Sequence, residues 1–381
     1  MSSGDFVRQF EHSRPQLPVE ASLWTRLSLD FPLLFLLVLL SCFGLMVLYS
    51  GSDQNMAVVM RQARYLMVAF VAMFVLAQLD VDRIKRWSLA AYIVGVMLLL
   101  AVYFFGTGAK GAQRWLDLGG FRFQPSELVK LVVPMVLAWY LAVHPLPAQT
   151  RQVFVSLVLI GVPTFLIASQ PDLGTSIIIA TSGLFVLFLG GLSWRYILGS
   201  LGVMASAAYP FWHFVLRDYQ KQRILTLLDP ESDKLGAGWN IIQSKTAIGS
   251  GGWTGKGWLE GTQSHLDFLP ESHTDFIIAV LAEEFGLFGV IFLMGIYMLI
   301  ILRGIWISMN AQHTFGRLLA GSIVLTFFVY VFVNMGMVSG LLPVVGVPLP
   351  LVSQGGTSMV TLLSGFGILM GLSVERKLVH Q

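Results

Sequence analysis

The chain alternates between long apolar runs and shorter polar segments. Each run contains few charges and is close to the ~20 residues needed to cross a bilayer as a helix. The runs cover residues 30–50, 62–79, 87–105, 125–144, 152–169, 173–191, 195–215, 275–302, 316–338 and 351–373. Because backbone groups in lipid must find hydrogen-bond partners within the protein, we expect each run to be helical. The pattern predicts an all-α, polytopic membrane protein with ten transmembrane helices.

The runs are expected to form a single membrane domain over residues 30–373, with polar tails at 1–29 and 374–381. The N-terminal tail lacks the pattern of a cleavable signal peptide, so the first run is expected to remain as an anchor. The short loops on the N-terminal side carry most of the Lys and Arg residues, which predicts that both termini are cytoplasmic. The large loop 216–274 is then extracytoplasmic, and most acidic residues lie on that side.

Composition supports this class and excludes others. Of 381 residues, 55% are hydrophobic and only 12% are charged, about half the charged fraction of a soluble protein. The net charge of +3 comes without a basic stripe, so we expect no nucleic-acid partner. Cys42 is the single cysteine, which rules out an intrachain disulfide and a cysteine-rich metal site.

The large loop contains two recognisable parts. Residues Arg217–Leu228 mix charges with an apolar stripe and are expected to form a short helix on the membrane surface. Residues 236–261 hold eight glycines and three tryptophans, which predicts a tight loop. Part of this stretch resembles a phosphate-binding loop, but Ser250 replaces its first glycine and Gly257 its final Ser or Thr. A packed turn is therefore the better interpretation.

Asp275 lies at the boundary between the large loop and the eighth apolar run. A carboxylate at such a boundary can be partly desolvated yet reachable from water, which favours a role as a proton acceptor. Glu271 and His273 are competing candidates, but both lie in the loop, where solvent keeps their environments ordinary.

Glu127 and Lys130 are three residues apart at the start of the fourth run and therefore share one helix face. They form either a structural ion pair between helices or part of a cavity that binds anionic head groups. Arg114 and Arg122 precede them and are expected to point into the same cavity, because guanidinium forks suit diphosphate. Asp172 opens the sixth run as a helix N-cap, as a site residue or as both.

Two further features lie in the C-terminal third. Glu283 and Glu284 follow Asp275 by about two helical turns and are expected to face the bundle interior or to bond a nearby Ser or Asn334. Residues 334–356 are apolar but are broken by Gly and Pro, so they cannot be regular helix throughout. Such backbone either lines a cavity or forms a re-entrant hairpin that serves packing.

Several of these segments together resemble the SEDS family (shape, elongation, division and sporulation), which comprises bacterial peptidoglycan glycosyltransferases. The matching segments are 268–284 and 334–356, with 111–119, 123–130 and 170–174 in the same order. Within the family, the sequence from Pro343 to Pro350 is more similar to the elongation branch than to the division branch. Gln354 departs from the pattern, because many relatives carry an aromatic residue before the two glycines.

The resemblance implies that Asp275 corresponds to the essential aspartate of the family. The remaining candidate residues are expected to bind substrate: Arg114, Trp115, Arg122, Glu127, Lys130, Asp172, Ser353, Gly355 and Gly356. A divalent cation, magnesium or manganese, is also implied, with no organic cofactor. The sequence itself contains no dedicated metal cage.

The implied function is polymerisation of lipid II into glycan strands at the outer face of the bacterial cytoplasmic membrane, during elongation and shape maintenance. The implied partners are a class B penicillin-binding protein that acts as transpeptidase and the membrane proteins of the elongation complex. One alternative is a lipid II flippase without chemistry, and another is a scaffold that recruits an enzyme. The clustering of polar groups at one end of the bundle favours the enzyme over the flippase.

Overall fold

The structure, a computed structural model, describes residues 27–109, 112–117, 122–216, 218–233, 237–265 and 272–379. It confirms the all-α class, since a helix lies at each predicted apolar run. These helices are α1 (Phe31–Gly51), α2 (Met56–Ala77), α3 (Val81–Phe105), α4 (Pro125–Ala142), α5 (Thr150–Ser169), α6 (Leu173–Leu189), α7 (Trp194–Pro210), α11 (Ile277–Asn310), α12 (Thr314–Val338) and α13 (Gly356–Val379). Within the described residues, eight are long and apolar enough to span a membrane. The helices α6 and α7 have 17 residues each, so the count of ten spans stays a prediction.

The shorter elements lie between these helices. A small antiparallel sheet joins α3 to α4 through β1 (Thr107–Ala109), β2 (Ala112–Asp117) and β3 (Arg122–Phe123). A π-helical turn, Phe211–Val215, extends α7. The large loop contains α8 (Asp218–Leu228), a 3₁₀ turn (Pro230–Asp233), α9 (Ala237–Gly251) and α10 (Thr262–His265).

The core lies between α4, α12 and α13. These helices bury 61%, 61% and 67% of their most apolar stretch inside the protein, whereas α2 and α3 bury 22% and 28%. The outer helices thus leave most of their apolar surface for lipid, where an exposed Leu or Phe carries no penalty. No side chain of α7 is buried, so this helix is the least embedded of the ten.

A buried ion pair joins the first helix to the end of α11. Asp30 caps α1 by accepting a hydrogen bond from Leu33 N at 3.2 Å, and Arg303 donates to both of its carboxylate oxygens at 3.0 and 2.6 Å. Asp30 is fully buried. The bidentate geometry satisfies a charge that would otherwise be costly at this depth.

The large loop confirms one sequence prediction and contradicts another. The short helix expected near Arg217–Leu228 is present as α8. The prediction of a tight loop over 236–261 is wrong, because Ala237–Gly251 is helical. The high glycine content is typical of a loop, but Gly251 at the end of this helix serves close packing against α11. A Cβ at this position would lie 1.9 Å from the carbonyl oxygen of Ala282. The glycines after it do form the packed turn that was expected.

This turn repairs a break in α11. Gly286 has φ +63° and ψ −160°, which interrupts the helix about two and a half turns after its start. The amides of Lys256 and Gly257 donate to the carbonyls of Glu283 and Glu284, each at 3.0 Å. In return, Leu287 N donates to Gly252 O at 3.0 Å. The interrupted backbone is therefore satisfied by the loop, as a membrane environment requires.

Both glutamates at the break have polar partners. Ser50 Oγ donates to Glu284 Oε1, which confirms the expected bond to a nearby serine. Glu283 Oε1 accepts from Lys256 Nζ at 2.6 Å and from Thr262 N at 2.8 Å. The segment Ile277–Phe285, directly after Asp275, is thereby attached to both α1 and the large loop.

Candidate active site

Asp275 lies in the turn that precedes α11 and is half-buried. Three hydrogen bonds hold this turn. Asn334 Nδ2 donates to Asp275 O at 2.9 Å, Gln354 N donates to His273 O at 2.9 Å, and Ser272 Oγ donates to Gly51 O at 2.9 Å. The turn is therefore fixed by α12, by the segment before α13 and by the end of α1. Glu271, the competing acid, lies outside the described residues.

The segment between α12 and α13 is irregular, as its glycines and prolines predicted. Tyr297 Oη donates to Pro350 O at 2.7 Å, and Gln62 Nε2 donates to Ser353 O at 2.9 Å. Asn334 Nδ2 donates to Val347 O at 2.8 Å. Side chains from three helices thus supply the donors that a helix would provide internally. The stretch from Leu349 to Ser353 is buried in protein, which makes its non-helical backbone compatible with a membrane.

A polar cavity of about 260 Å³, here called the charged cavity, lies between α4, α6, α12 and this irregular segment. It brings together most of the predicted substrate-binding residues. Its walls include Arg114, Trp115, Glu127, Lys130, Asp172, Gly355 and Gly356. Ser353 lies elsewhere: its hydroxyl accepts a hydrogen bond from Leu349 N at 2.9 Å, and it is buried behind the wall. The side chain of Arg122 lies outside the described residues.

Two ion pairs set the electrostatics of the charged cavity. Lys130 Nζ lies 2.8 Å from Glu127 Oε1, with both side chains less than 10% exposed, and 5.6 Å from the centre of the Tyr330 ring. Arg114 Nε lies 3.7 Å from Asp172 Oδ2. Within the described residues, Arg114 Nε and Glu127 Oε2 are buried without a hydrogen-bond partner. Such atoms are the ones that a polar ligand would satisfy.

Asp172 caps α6 and also lines the charged cavity. Its carboxylate accepts from Thr175 N at 3.3 Å, which caps α6, while its second oxygen faces Arg114. Arg114 also donates from Nη2 to Pro171 O, so the strand β2 is bound to the start of α6. The cap orients the carboxylate, and the carboxylate orients the guanidinium at the cavity wall.

A larger groove of about 980 Å³ lies between α2, α4 and α13. Apolar side chains form much of its wall, including Tyr65, Val68, Leu128, Leu131 and Val360. We call it the apolar groove. It shares five wall residues with the charged cavity: Trp115, Glu127, Gly355, Gly356 and Thr357. The two spaces are therefore contiguous. The charged cavity lies at the N-termini of α4, α6 and α13, and the apolar groove lies beside the lipid-facing helix α2.

Asp275 is not among the described wall residues of either space. Its neighbour Gly346 does line the charged cavity. A Cβ built on Gly346 would lie 3.5 Å from Asp275 Oδ2, so the carboxylate lies next to this wall residue. Gly346 has φ +74°, a conformation that other residues adopt at a cost.

The described residues contain no group of three or more His, Cys, Asp or Glu side chains that could hold a metal ion. The two carboxylates of the charged cavity, Glu127 and Asp172, each face a cation of the protein. This donor set does not fit a resident divalent cation, which prefers several oxygen ligands without competing charges.

Tyr330 and Gln124 are among the wall residues that sequence reasoning missed. Tyr330 lies in an apolar stretch of α12, where an aromatic residue is typical of core packing. Gln124, which also lines the cavity, immediately precedes α4 and shows no pattern of its own. Only the approach of α12 to α4 could have identified Tyr330.

Known proteins match this chain over nearly its full length. A family model for the cell cycle proteins FtsW, RodA and SpoVE matches residues 29–378. The chain is 52% identical to the peptidoglycan glycosyltransferase MrdB of Escherichia coli K12, over 96% of this chain and 98% of that protein. It is 37% identical to a probable peptidoglycan glycosyltransferase FtsW of Geobacter metallireducens, over 91% and 95%.

Solved structures agree. A chain from a peptidoglycan synthase complex that coordinates polymerization and crosslinking superposes with a TM-score of 0.81 and 29% identity, covering 92% of this chain and 99% of that one. The rod shape determining protein RodA of Thermus thermophilus gives a TM-score of 0.70 and 28% identity, covering 92% and 98%. The chain therefore belongs to the FtsW, RodA and SpoVE family, the SEDS family that its motifs indicated.

Proposed function

We propose that this multi-pass membrane protein is a peptidoglycan glycosyltransferase that polymerises lipid II during cell elongation. The observation that carries the proposal is the charged cavity, which is contiguous with the apolar groove and has Asp275 next to its wall residue Gly346. A substrate with a charged head group and a long apolar tail matches this arrangement. The relative MrdB is itself a peptidoglycan glycosyltransferase.

The reaction joins two lipid-linked disaccharide-peptides. The 4-hydroxyl oxygen of the acceptor sugar attacks C1 of the donor, and Asp275 takes the hydroxyl proton as general base. The bond from C1 to the diphosphate oxygen breaks, and undecaprenyl diphosphate leaves with the electron pair. Arg114 and Lys130 lie where they can offset the charge on the departing diphosphate. Their present partners, Asp172 and Glu127, keep both cations oriented before substrate binds.

The apolar groove suits the polyprenyl tail. Its wall residues come from α2, α4 and α13, and Arg61 of α2 adds a positive charge to this mostly apolar wall. A tail in the groove would bring its diphosphate to the shared wall residues Trp115 and Glu127. The substrate could then enter sideways from the membrane without leaving lipid.

We further propose the inner membrane as location, with both termini cytoplasmic and the charged cavity on the outer side. A class B penicillin-binding protein would cross-link the product, with other membrane proteins of the elongation complex. The similarity to a chain from a peptidoglycan synthase complex supports a partner of this kind. A divalent cation, if required, would arrive with the diphosphate, since the described wall residues do not fit a resident metal.

A flippase would need polar groups along its whole path. Beyond Lys130, the buried face of α4 continues with Val133, Leu137 and Leu141, none of which is exposed. The charged side chains of α4, Glu127 and Lys130, are thus confined to its N-terminal end, which favours chemistry over transport.

The deciding experiment uses purified protein with fluorescent lipid II and gel separation of the glycan strands. We expect wild type to form polymer and Asp275→Asn, which keeps the side-chain shape, to form none while its melting temperature is retained. Asp53→Asn serves as the matched control, because Asp53 is an exposed acid at the same end of the bundle and asparagine tolerates its positive φ. Polymer from Asp275→Asn would remove this residue as base, and transfer of lipid across vesicles without polymer would support the flippase.

A further inference from the structure

Asn334 connects the two halves of the proposed site. It lies in the last turns of α12 and is fully buried. Its Nδ2 donates one hydrogen bond to Asp275 O at 2.9 Å and a second to Val347 O at 2.8 Å. One side-chain nitrogen therefore holds both the turn that carries the carboxylate and the irregular segment that forms the cavity wall.

Both bonded carbonyls lie in backbone that is not part of a helix. Val347 follows Gly346, the wall residue whose Cβ position is 3.5 Å from Asp275 Oδ2. The distance from the carboxylate to the charged cavity thus depends on how the turn and the wall are joined. A primary amide supplies two N–H donors on one atom, which neither a hydroxyl nor a carboxylate can do.

Packing alone does not account for an amide at this position. Asn334 Oδ1 is buried without a hydrogen-bond partner, and a buried polar atom in that state is unfavourable. An apolar side chain of similar size would avoid that cost. What the amide supplies, and an apolar side chain cannot, is the pair of donated hydrogen bonds.

We propose that Asn334 is a positioning residue that sets the separation between Asp275 and the charged cavity. The inference rests on the proposed role of Asp275 as general base. Asn334 touches neither substrate nor reacting atoms; it acts through the backbone of Asp275 and Val347. Its loss should therefore lower the rate of the chemical step and leave substrate binding intact, because Arg114 and Lys130 are held by other contacts.

The test compares Asn334→Leu, which has similar size and no donor, with Ser322→Ala. Ser322 is an equally buried polar residue of the same helix, and its hydroxyl donates to Ser182 O at 2.7 Å, remote from the cavity walls. We expect both variants to lower the melting temperature by similar amounts. Only Asn334→Leu should lower kcat for lipid II polymerisation, by about tenfold or more, with KM within about twofold of wild type, since small misplacements of a reacting group have effects of this size.

Wild-type kcat in Asn334→Leu, or an equal loss of kcat in Ser322→Ala, would overturn the inference. If Asn334→Leu does not fold, Asn334→Gln takes its place. This variant keeps both N–H donors but displaces them by the length of one methylene group. Wild-type kcat in Asn334→Gln would count against the positioning role. Asp275→Asn in the same series separates the two hypotheses. An inactive Asp275→Asn with a fully active Asn334 variant refutes only the positioning role, whereas an active Asp275→Asn refutes the proposed base and the positioning role with it.

Discussion

Gly346→Ala is the most direct perturbation of the proposed site. The glycine has φ +74° and lines the charged cavity, and the added methyl carbon would lie 3.5 Å from Asp275 Oδ2. That separation is an ordinary van der Waals contact, so no steric clash is expected. The cost to folding is the left-handed backbone alone, about 1–2 kcal/mol for a residue with a Cβ.

The effect on catalysis should be larger than this cost. The methyl group would be in van der Waals contact with Asp275 Oδ2. It would therefore occupy space beside the carboxylate, which the acceptor hydroxyl must approach to within hydrogen-bond distance. We expect kcat to fall by about a hundredfold, because the methyl group would hold the acceptor hydroxyl away from the carboxylate and a displacement of about 1 Å has an effect of this size.

Gly252→Ala is the matched control. Gly252 also has a positive φ, +56°, but a Cβ there would meet no atom within 4 Å, and it does not line the described cavity walls. Both variants should lose similar stability in a thermal unfolding assay, and only Gly346→Ala should lose polymerisation of fluorescent lipid II. Full turnover by Gly346→Ala, or equal loss by Gly252→Ala, would refute the position assigned to Asp275.

Three further predictions test the rest of the structure. Lys130→Met should destabilise the protein by about 3–5 kcal/mol, because Glu127 is left buried without its partner. The double variant Lys130→Met with Glu127→Gln should recover the melting temperature but not the polymerisation of lipid II. Recovered polymerisation would contradict the anion-binding role of Lys130. Glu283→Ala should cost about 2–4 kcal/mol, because Lys256 and the amides of Thr262 and Gln263 lose their acceptor. Asp80→Ala, which breaks an exposed pair, should cost less than about 1 kcal/mol by the same unfolding assay. Leu131→Trp should fill the apolar groove and raise KM for lipid II with a long tail more than for a short-tailed analogue; equal changes would argue against tail binding there.

Local spacing in the sequence was enough to predict part of the site. Glu127 and Lys130 are three residues apart on a helix, so their pairing follows from helix geometry alone. Asp172 could be predicted as a cap for the same reason. The position of Asp275 before an apolar run likewise located it at the start of α11.

Composition misled where glycine serves packing rather than flexibility. Residues Ala237–Gly251 form a helix although they belong to the most glycine-rich part of the loop. Ile241, Ser244 and Ala247 are buried on one face of this helix. Contact with α11 stabilises it, and intrinsic propensity, which tertiary packing routinely overrides, gave no sign of that contact.

The sequence by itself determined which segments are helices in a membrane, because a long uncharged run has few other stable forms in lipid. It also predicted that polar groups cluster at one end of the bundle. Only the tertiary structure decided which of them meet. Ser50 reaches Glu284 across 234 positions, and Asn334 reaches Asp275 across 59. Such contacts depend on how helices pack side by side, and no periodicity within one helix records its neighbour.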